Sequence, residues 1–219
     1  MFRFLSIILF VYSVSCDQVV INDAVDQLLE SARVLVKAKG RDKIKLPSID
    51  KTFEKVVFKT VKIKGEFHAS GGVFEDTTSL VRKGDVTMKT EGNKLTLGAS
   101  LGFNRINVDY SHYSFKLLAL HSEGSIHASC AKNAATVVLS IVHSGPNCTV
   151  ELQRAQIDSL GSFDVKMTGP GDINKLGTVL FTWVLNQFDQ LITTVINLQL
   201  EQTLSEALRK VDLCEKIPF

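Results

Sequence analysis

The sequence predicts an α+β protein in which a long, curved, antiparallel sheet wraps one long C-terminal amphipathic helix, with a shorter helix at the N-terminal side. Three observations predict it. Asp17 to Lys39 is amphipathic at helical spacing, Phe53 to Met167 alternates with a period of two, and Ile173 to about Cys214 carries a further apolar stripe at helical spacing. Strands followed by one very long helix suit a sheet that buries one face against that helix.

Residues 1–16 read as a secretory signal peptide. Arg3 supplies the positive charge, Phe4 to Tyr12 an apolar core too short to span a bilayer, and Ser13 to Cys16 the small residues of a cleavage region. Cleavage after Ser15 and after Cys16 both fit. Residues 17–219 then form a single domain with room for a sizeable core. No second apolar run of membrane length follows, so the expectation is a secreted, extracellular protein without a transmembrane segment.

The helix from Asp17 to Lys39 rests on Ile21, Ala24, Val25, Leu28, Ala32, Leu35 and Val36, with Asp23, Asp26, Gln27, Glu30, Arg33 and Lys37 largely opposite. Gly40 stops it, and an extended basic linker containing Pro47 follows. Among the strands, Val57, Val61, Ile63 and Phe67 share one parity, and Leu80, Val86 and Met88 form a second run. Leu95, Leu97, Ala99, Leu101 and Phe103 form a third, continued by Ile106, Val108 and Tyr110. Glu91-Gly92-Asn93 joins the second and third as a tight turn between antiparallel neighbours. Further strand segments are Tyr113-Phe115-Leu117, Val137-Leu139-Ile141, Val150-Leu152 and Phe163-Val165-Met167, read at alternate positions. A continuous strand from Leu95 to Tyr110 would span about 50 Å.

Gly169-Pro170-Gly171 ends the strand region and Asp172 is a plausible N-cap. The last helix carries Leu176, Leu180, Val184, Phe188, Leu191, Val195, Leu198, Leu204, Leu208 and Val211, and would reach roughly 60 Å. Asn186, Gln187, Asp189, Gln190, Gln199, Glu201, Gln202 and Glu206 make its other side too polar for a membrane span. A sheet wrapped on such a helix leaves an elongated apolar groove, a place for a lipid tail. Set against this, an apolar stripe at helical spacing is normally plain core.

Charge and motifs narrow the function. Without Arg3 the 25 Lys and Arg become 24 against 23 Asp and Glu, a balance that gives no case for nucleic acid. Ten cations crowd between Lys37 and Lys64 (Lys37, Lys39, Arg41, Lys43, Lys45, Lys51, Lys55, Lys59, Lys62, Lys64) against Asp42, Asp50 and Glu54. A solvated face explains such density in most proteins; attraction to an anionic lipid head, with Lys59, Lys62 and Lys64 in contact, is the sharper reading. Gly98-x-Ser100-x-Gly102 matches the nucleophile elbow of hydrolases, but a strand runs straight through the serine, no helix follows, and no histidine follows Asp158, Asp164 or Asp172. His68, His112, His121, His127 and His143 lack metal-ligand spacing, and His121 and His127 show no evident carboxylate partner. No catalytic residue, cofactor or metal is expected.

Cys130, Cys148 and Cys214, with Cys16 if cleavage precedes it, are too few for a disulfide scaffold. A hairpin turn about Ser144-Gly145-Pro146-Asn147 would set Cys130 and Cys148 tens of ångströms apart on a straight ladder, and the pairing stays open. Asn147-Cys148-Thr149 is an N-glycosylation acceptor triplet on that turn.

Lys62-Ile63-Lys64-Gly65-Glu66-Phe67, Leu80-Val81-Arg82-Lys83-Gly84-Asp85-Val86 with its Arg-Lys-Gly-Asp centre, and Leu97-Gly98 leading through Val108-x-Tyr110 to Phe115-Lys116-Leu117 resemble the strand pattern of the group 7 mite allergens. The order of elements agrees over nearly the whole mature chain. The resemblance implies the super-roll fold, an elongated sheet wrapped on a long C-terminal helix, similar to half of bactericidal/permeability-increasing protein and to the juvenile-hormone-binding and takeout proteins. It also implies an apolar groove for lipids or other lipophilic molecules, bacterial lipid products and anionic membrane surfaces among them. The cysteine set and the basic density from Lys37 to Lys64 depart from the family pattern. The expected function is therefore a secreted, non-enzymatic lipid binder or carrier, its groove formed by Phe67, Leu80, Val86, Leu97, Leu101, Tyr110, Phe115, Phe181, Trp183 and Phe188. The alternative is a protein-recognition module, innate-immune or bacterial-surface binding, with a filled core and no carried ligand.

Overall fold

The computed structural model describes the backbone of residues 3–57, 61–118, 120–169 and 173–217, and the side chains of residues 20–54, 64–118, 121–169 and 189–217. The side chains of Lys59, Lys62, Phe181, Trp183 and Phe188 and the N-cap at Asp172 lie outside the described residues.

Helix α1 spans Arg3–Ala38. Every apolar position read from Ile21 to Val36 is buried, at 7% exposure or less, and Leu29 joins them. Gly40 ends the helix as expected: it adopts φ 61°, Arg41 N donates to Val36 O at 2.9 Å, and Gly40 N donates to Lys37 O at 3.0 Å. These paired bonds form a Schellman motif, which a residue without Cβ enters without strain.

The strands are β1 Ile44–Leu46, β2 Ile49–Val57, β3 Val61–Glu75, β4 Leu80–Arg82, β5 Thr87–Glu91, β6 Lys94–Phe103, β7 Ile106–Leu117, β8 Leu120–Cys130, β9 Asn133–Ser144, β10 Asn147–Leu160 and β11 Asp164–Met167. They form two antiparallel sheets where one was expected. A six-stranded sheet runs β1-β3-β7-β8-β11 with β2 also on β3, and a five-stranded sheet runs β10-β9-β6-β4 with β5 also on β6. The division falls between the two alternating runs, which are separate strands and not one continuous strand. Asn104 and Arg105 make a corner, and the buried parity moves from Leu95, Leu97, Ala99, Leu101 and Phe103 to Ile106, Val108 and Tyr110, so β6 feeds one sheet and β7 the other.

Other boundaries differ as well. The basic linker pairs as β1 with β3, and Val57 and Val61 face each other across a hairpin instead of sharing one strand. Leu80 and Met88 sit on separate strands with buried Val86 between them, and Met88 is 49% exposed. The turn at Gly92-Asn93 does join β5 to β6, pairing Glu91 with Lys94. Strand β8 fills the stretch around His121 and His127, which reads as a strand region without definite bounds. It packs under Thr168, whose carbonyl oxygen stands 1.9 Å from where a Cβ on Gly124 would lie.

Helix α2 spans Ile173–Leu208, 36 residues, and α1 matches that length because it runs on through residues 3–16 ahead of the amphipathic stretch read from Asp17. The chain then turns and forms α3, Leu213–Lys216, where Asp212 caps the helix by accepting from Glu215 N at 3.1 Å. One continuous helix to Cys214 is thereby excluded. The described stripe of α2 is also rotated from the expected one: Ile192, Ile196, Leu200, Leu204 and Ala207 are buried, whereas Leu198 is 55% exposed. Both helices and the inner faces of both sheets share one apolar core. The disulfide pairs Cys148 at the start of β10 with Cys214 in α3, and Cys130 is free and buried.

Candidate functional site

Both helices and both sheets converge on one apolar crevice. Leu29, Ala32 and Val36 of α1 face Ile196, Leu200 and Leu204 of α2, and Phe74 of β3, Leu80 of β4 and Phe103 of β6 close the remaining side. Phe74 and Phe103 meet edge to face with centroids 6.0 Å apart, an arrangement aromatic rings favour. Four polar side chains join the lining: Arg33, Thr77, Gln199 and Thr203. The enclosed space is about 30 Å³, room for a water or a terminal methyl group and not for a whole tail.

Charged and polar groups fix α1 over this crevice. Arg33 donates to the Leu80 carbonyl at 2.8 Å and pairs with Glu30 at 2.6 Å. The Arg82 guanidinium grips Asp26 as a fork, Nε to Oδ1 at 3.0 Å and Nη2 to Oδ2 at 2.7 Å. That bond and the carboxylate charge push the Arg82 pKa further up. Asn22 donates to Asp85 and accepts from Val86 N, each at 2.9 Å. The Arg82-Lys83-Gly84-Asp85 motif is thus a clasp between the β4–β5 connection and α1. At the other end of α1, Lys39 hydrogen-bonds Glu206 of α2 and draws that carboxyl below its ordinary value.

Of the sequence-derived groove residues with described side chains, Leu80 lines the crevice. Phe67, Val86, Leu97, Leu101, Tyr110 and Phe115 are packed elsewhere in the core, each 2% exposed or less. Phe67 stacks on Tyr113 and Phe115 on Phe53, with centroids 6.4 and 5.6 Å apart. The Tyr110 hydroxyl donates to Pro47 O at 2.9 Å, and burial pushes its pKa up to about 12. Phe74, Phe103, Arg33, Gln199 and Thr203 were missed. Periodicity shows which side of an element is apolar, but not where four elements fail to close on one another.

Ser100 is an exposed residue in mid-strand, paired with Thr136 of β9, and the chain passes from β6 to another strand without a helix. Carboxylate partners do exist for the histidines, contrary to the sequence reading: His127 Nδ1 lies 2.7 Å from Asp109 Oδ1, His121 lies 3.7 Å from Glu123, and His68 contacts Asp50. All three pairs are solvent-exposed across or along strands. Among the described residues no three His, Cys, Asp or Glu side chains gather as a metal ion requires. Cys130 donates to Lys132 O at 3.1 Å, and burial pushes its thiol pKa up, the opposite of what activates a cysteine nucleophile.

Four of the described basic-segment cations are paired: Lys39 and Arg41 with Glu206, Lys43 with Glu75, and Lys64 with Glu54. Lys64 is nevertheless 81% exposed. It lies at the same end of the six-stranded sheet as the β7–β8 turn, since Gly65 pairs with Leu117. There Leu118 is 68% exposed at φ 54°, a conformation uncommon for a bulky residue. Among the described residues no helix is long and apolar enough to cross a membrane.

The sequence matches the group 7 allergen family over residues 20–209. The chain belongs to that family. The match takes in α1 from Val20, both sheets and α2, so in this group 7 allergen the crevice and its clasp lie within the family's own segment. Among solved structures, a lipopolysaccharide binding protein aligns with 89% of this chain at 19% identity and a TM-score of 0.45. The chain spans 38% of that protein's length. No curated protein matches.

Proposed function

We propose that this group 7 allergen is a secreted, non-enzymatic binder of lipophilic ligands, with residues 1–16 removed and 17–219 forming a single super-roll domain whose sheets wrap α2. The observation that carries the reading is the crevice of α1, α2 and the two sheets, apolar except for Arg33, Thr77, Gln199 and Thr203. A tail entering there displaces contacts between α1 and α2 and gains about 25 cal/mol per Å² of apolar surface removed from water, less ordering costs. Arg33 offers a cation to an anionic head. Lys59, Lys62 and Lys64 offer another, and exposed Leu118 near Lys64 suits an anionic membrane surface or bacterial lipid product.

The filled interior favours a second reading. Six of the seven described groove candidates are fully packed and the crevice holds about 30 Å³, as expected of a protein-recognition module that carries no ligand.

Native mass spectrometry of protein from a eukaryotic secretion system, followed by organic extraction, separates the two. A lipophilic mass carried at near-stoichiometric amount supports the binder. A clean apo mass that also refuses added fatty acids rejects it and turns attention to protein partners.

A further inference from the structure

We propose that Asn147 accepts an N-linked glycan, and that the glycan is added before the Cys148–Cys214 disulfide closes. The proposal rests on the secretory entry in the reading above and on the placement of the Asn147-Cys148-Thr149 triplet.

The triplet occupies the first three residues of β10, directly after a two-residue turn at Gly145-Pro146. Gly145 takes φ 63°, the sign that a primed hairpin turn requires at its first central position. A Cβ built there would meet nothing within 4 Å, so the turn stands in open solvent. Strand alternation then divides the triplet. Asn147 and Thr149 are exposed on one face of β10, while Cys148 turns to the other face and bonds Cys214 of α3. The acceptor amide and the hydroxyl two residues on thus share the solvent side, and a glycan there projects away from α3 and away from the crevice lined by α1 and α2.

Chain order supplies the timing. Cys214 follows Cys148 by 66 residues, which at about 5–20 residues per second is a delay of roughly 3–13 s during synthesis. Until then α2 and α3, which pack on β10 in the finished fold, are still to be made, and β10 is the edge strand of its sheet, leaving the triplet available as extended chain. In the transfer, Asn147 Nδ2 forms a bond to the anomeric carbon of an oligosaccharide carried on a lipid diphosphate. The bond from that carbon to the diphosphate oxygen breaks, the lipid diphosphate leaves, and the amide loses one proton. Closure of the disulfide afterwards draws Cys148 toward α3 without moving the glycan off the solvent face.

The test is to secrete the chain from eukaryotic cells with residues 1–16 replaced by the signal peptide of an unrelated secreted protein. A non-reduced digest is then treated with an N-glycosidase in heavy-oxygen water, which marks the former acceptor as labelled aspartate. The expected product is labelled position 147 in a peptide still disulfide-linked to the peptide holding Cys214. Thr149→Ser should keep the label, whereas Thr149→Ala and Asn147→Gln should lose it completely while the chain is still secreted with its disulfide. Unmodified Asn147 in secreted, disulfide-bonded wild-type chain overturns the site, and occupancy that falls in a Cys214→Ser chain, where the bond never forms, overturns the order of events. Retention of the chain that has its own residues 1–16, beside glycosylation of the exchanged form, upholds the site and rejects the secretory reading alone.

Discussion

Removing the Cys148–Cys214 bond through Cys148→Ala with Cys214→Ala should lower stability by about 4 kcal/mol at 25 °C. The figure follows from the separation of 66 residues. In the chain-entropy relation such a cross-link withholds about 15 cal/mol/K from the unfolded ensemble, roughly 4.4 kcal/mol at 298 K. Residual structure in the unfolded chain reduces it. The native fold should survive, because Leu213 and Ile217 hold α3 in the core at 0% and 2% exposure and Lys216 reaches Gln27 of α1 at 2.6 Å. Urea unfolding monitored by circular dichroism measures it. With a slope near 2 kcal/mol/M the midpoint should fall by about 2 M, at unchanged slope in the native baseline region. Cys130→Ala serves as the control for losing a sulfur without losing a cross-link. A loss below about 1 kcal/mol for the double variant would mean that the intervening chain is already restrained when unfolded, and the entropy reasoning would be wrong.

Leu80→Ala should widen the crevice, costing about 2–5 kcal/mol in stability while raising uptake of a fluorescent fatty acid, whereas Ala32→Phe should block uptake; equal uptake by the two variants rejects this crevice as the ligand site. Glu206, held below its ordinary pKa by Lys39, stabilises the fold above the unfolded carboxylate value of about 4.3 and loses that contribution as pH falls through its lower folded value. The stability gap between wild type and Glu206→Gln should therefore narrow on acidification, as chemical denaturation at successive pH values would register. Tyr110 runs the other way: its pKa is raised to about 12, so its contribution is intact below about pH 10 and declines as pH climbs toward 12. Tyr110→Phe should show a shallower alkaline decline in the same measurement, and an unchanged slope would count against the buried hydroxyl.

The α1 face was legible except for Leu29, because its apolar residues fall on one narrow stripe and a glycine with φ 61° ends it. On α2 the stripe was misread by one position at Leu191 and Val195, while Leu204 is buried as expected. Apolar residues occupy adjacent faces there, Leu191 beside Ile192 and Val195 beside Ile196, and only packing against β10 and α1 selects the second of each pair. Strand β8 showed no readable bounds because its inward positions are Ser122, Gly124, Ile126, Ala128 and Cys130, mostly small residues that leave space for neighbouring rings such as Tyr113. A hydrophobic alternation cannot appear where the pattern is made of small side chains. The division into two sheets was hidden for a related reason: a two-residue corner resets parity without a proline or glycine to announce it. The disulfide depends on α3 folding back to β10, a tertiary event without a local signal. For the candidate site, the sequence found one wall in Leu80 and placed Arg33 on the polar side of α1, where its stem nevertheless lines the crevice.

Whether the crevice opens is decided by what ties α1 down. The Lys39–Glu206 and Lys43–Glu75 pairs are solvent-exposed, and such pairs contribute little individually. The Arg82–Asp26 fork is firmer, since the Arg82 side chain is only 19% exposed and its guanidinium bonds through two nitrogens. It grips α1 one helical turn before Leu29 and Glu30, whereas Val36 at the far end of the crevice is followed by the exposed pairs, the glycine cap and a neutral bond from the Thr77 hydroxyl to the Arg41 carbonyl at 2.9 Å. Opening should therefore hinge near Asp26 and widen toward Val36. Each methylene of an entering tail gains about 0.8 kcal/mol, replacing α1–α2 apolar contacts in kind, so a tail of several carbons outweighs exposed ion pairs well before it outweighs the fork. Exchange-protected amides should accordingly persist at Asn22 to Leu28 and weaken at Val34 to Ala38 when a fatty acid binds; protection lost first at Asn22 would place the hinge at the other end.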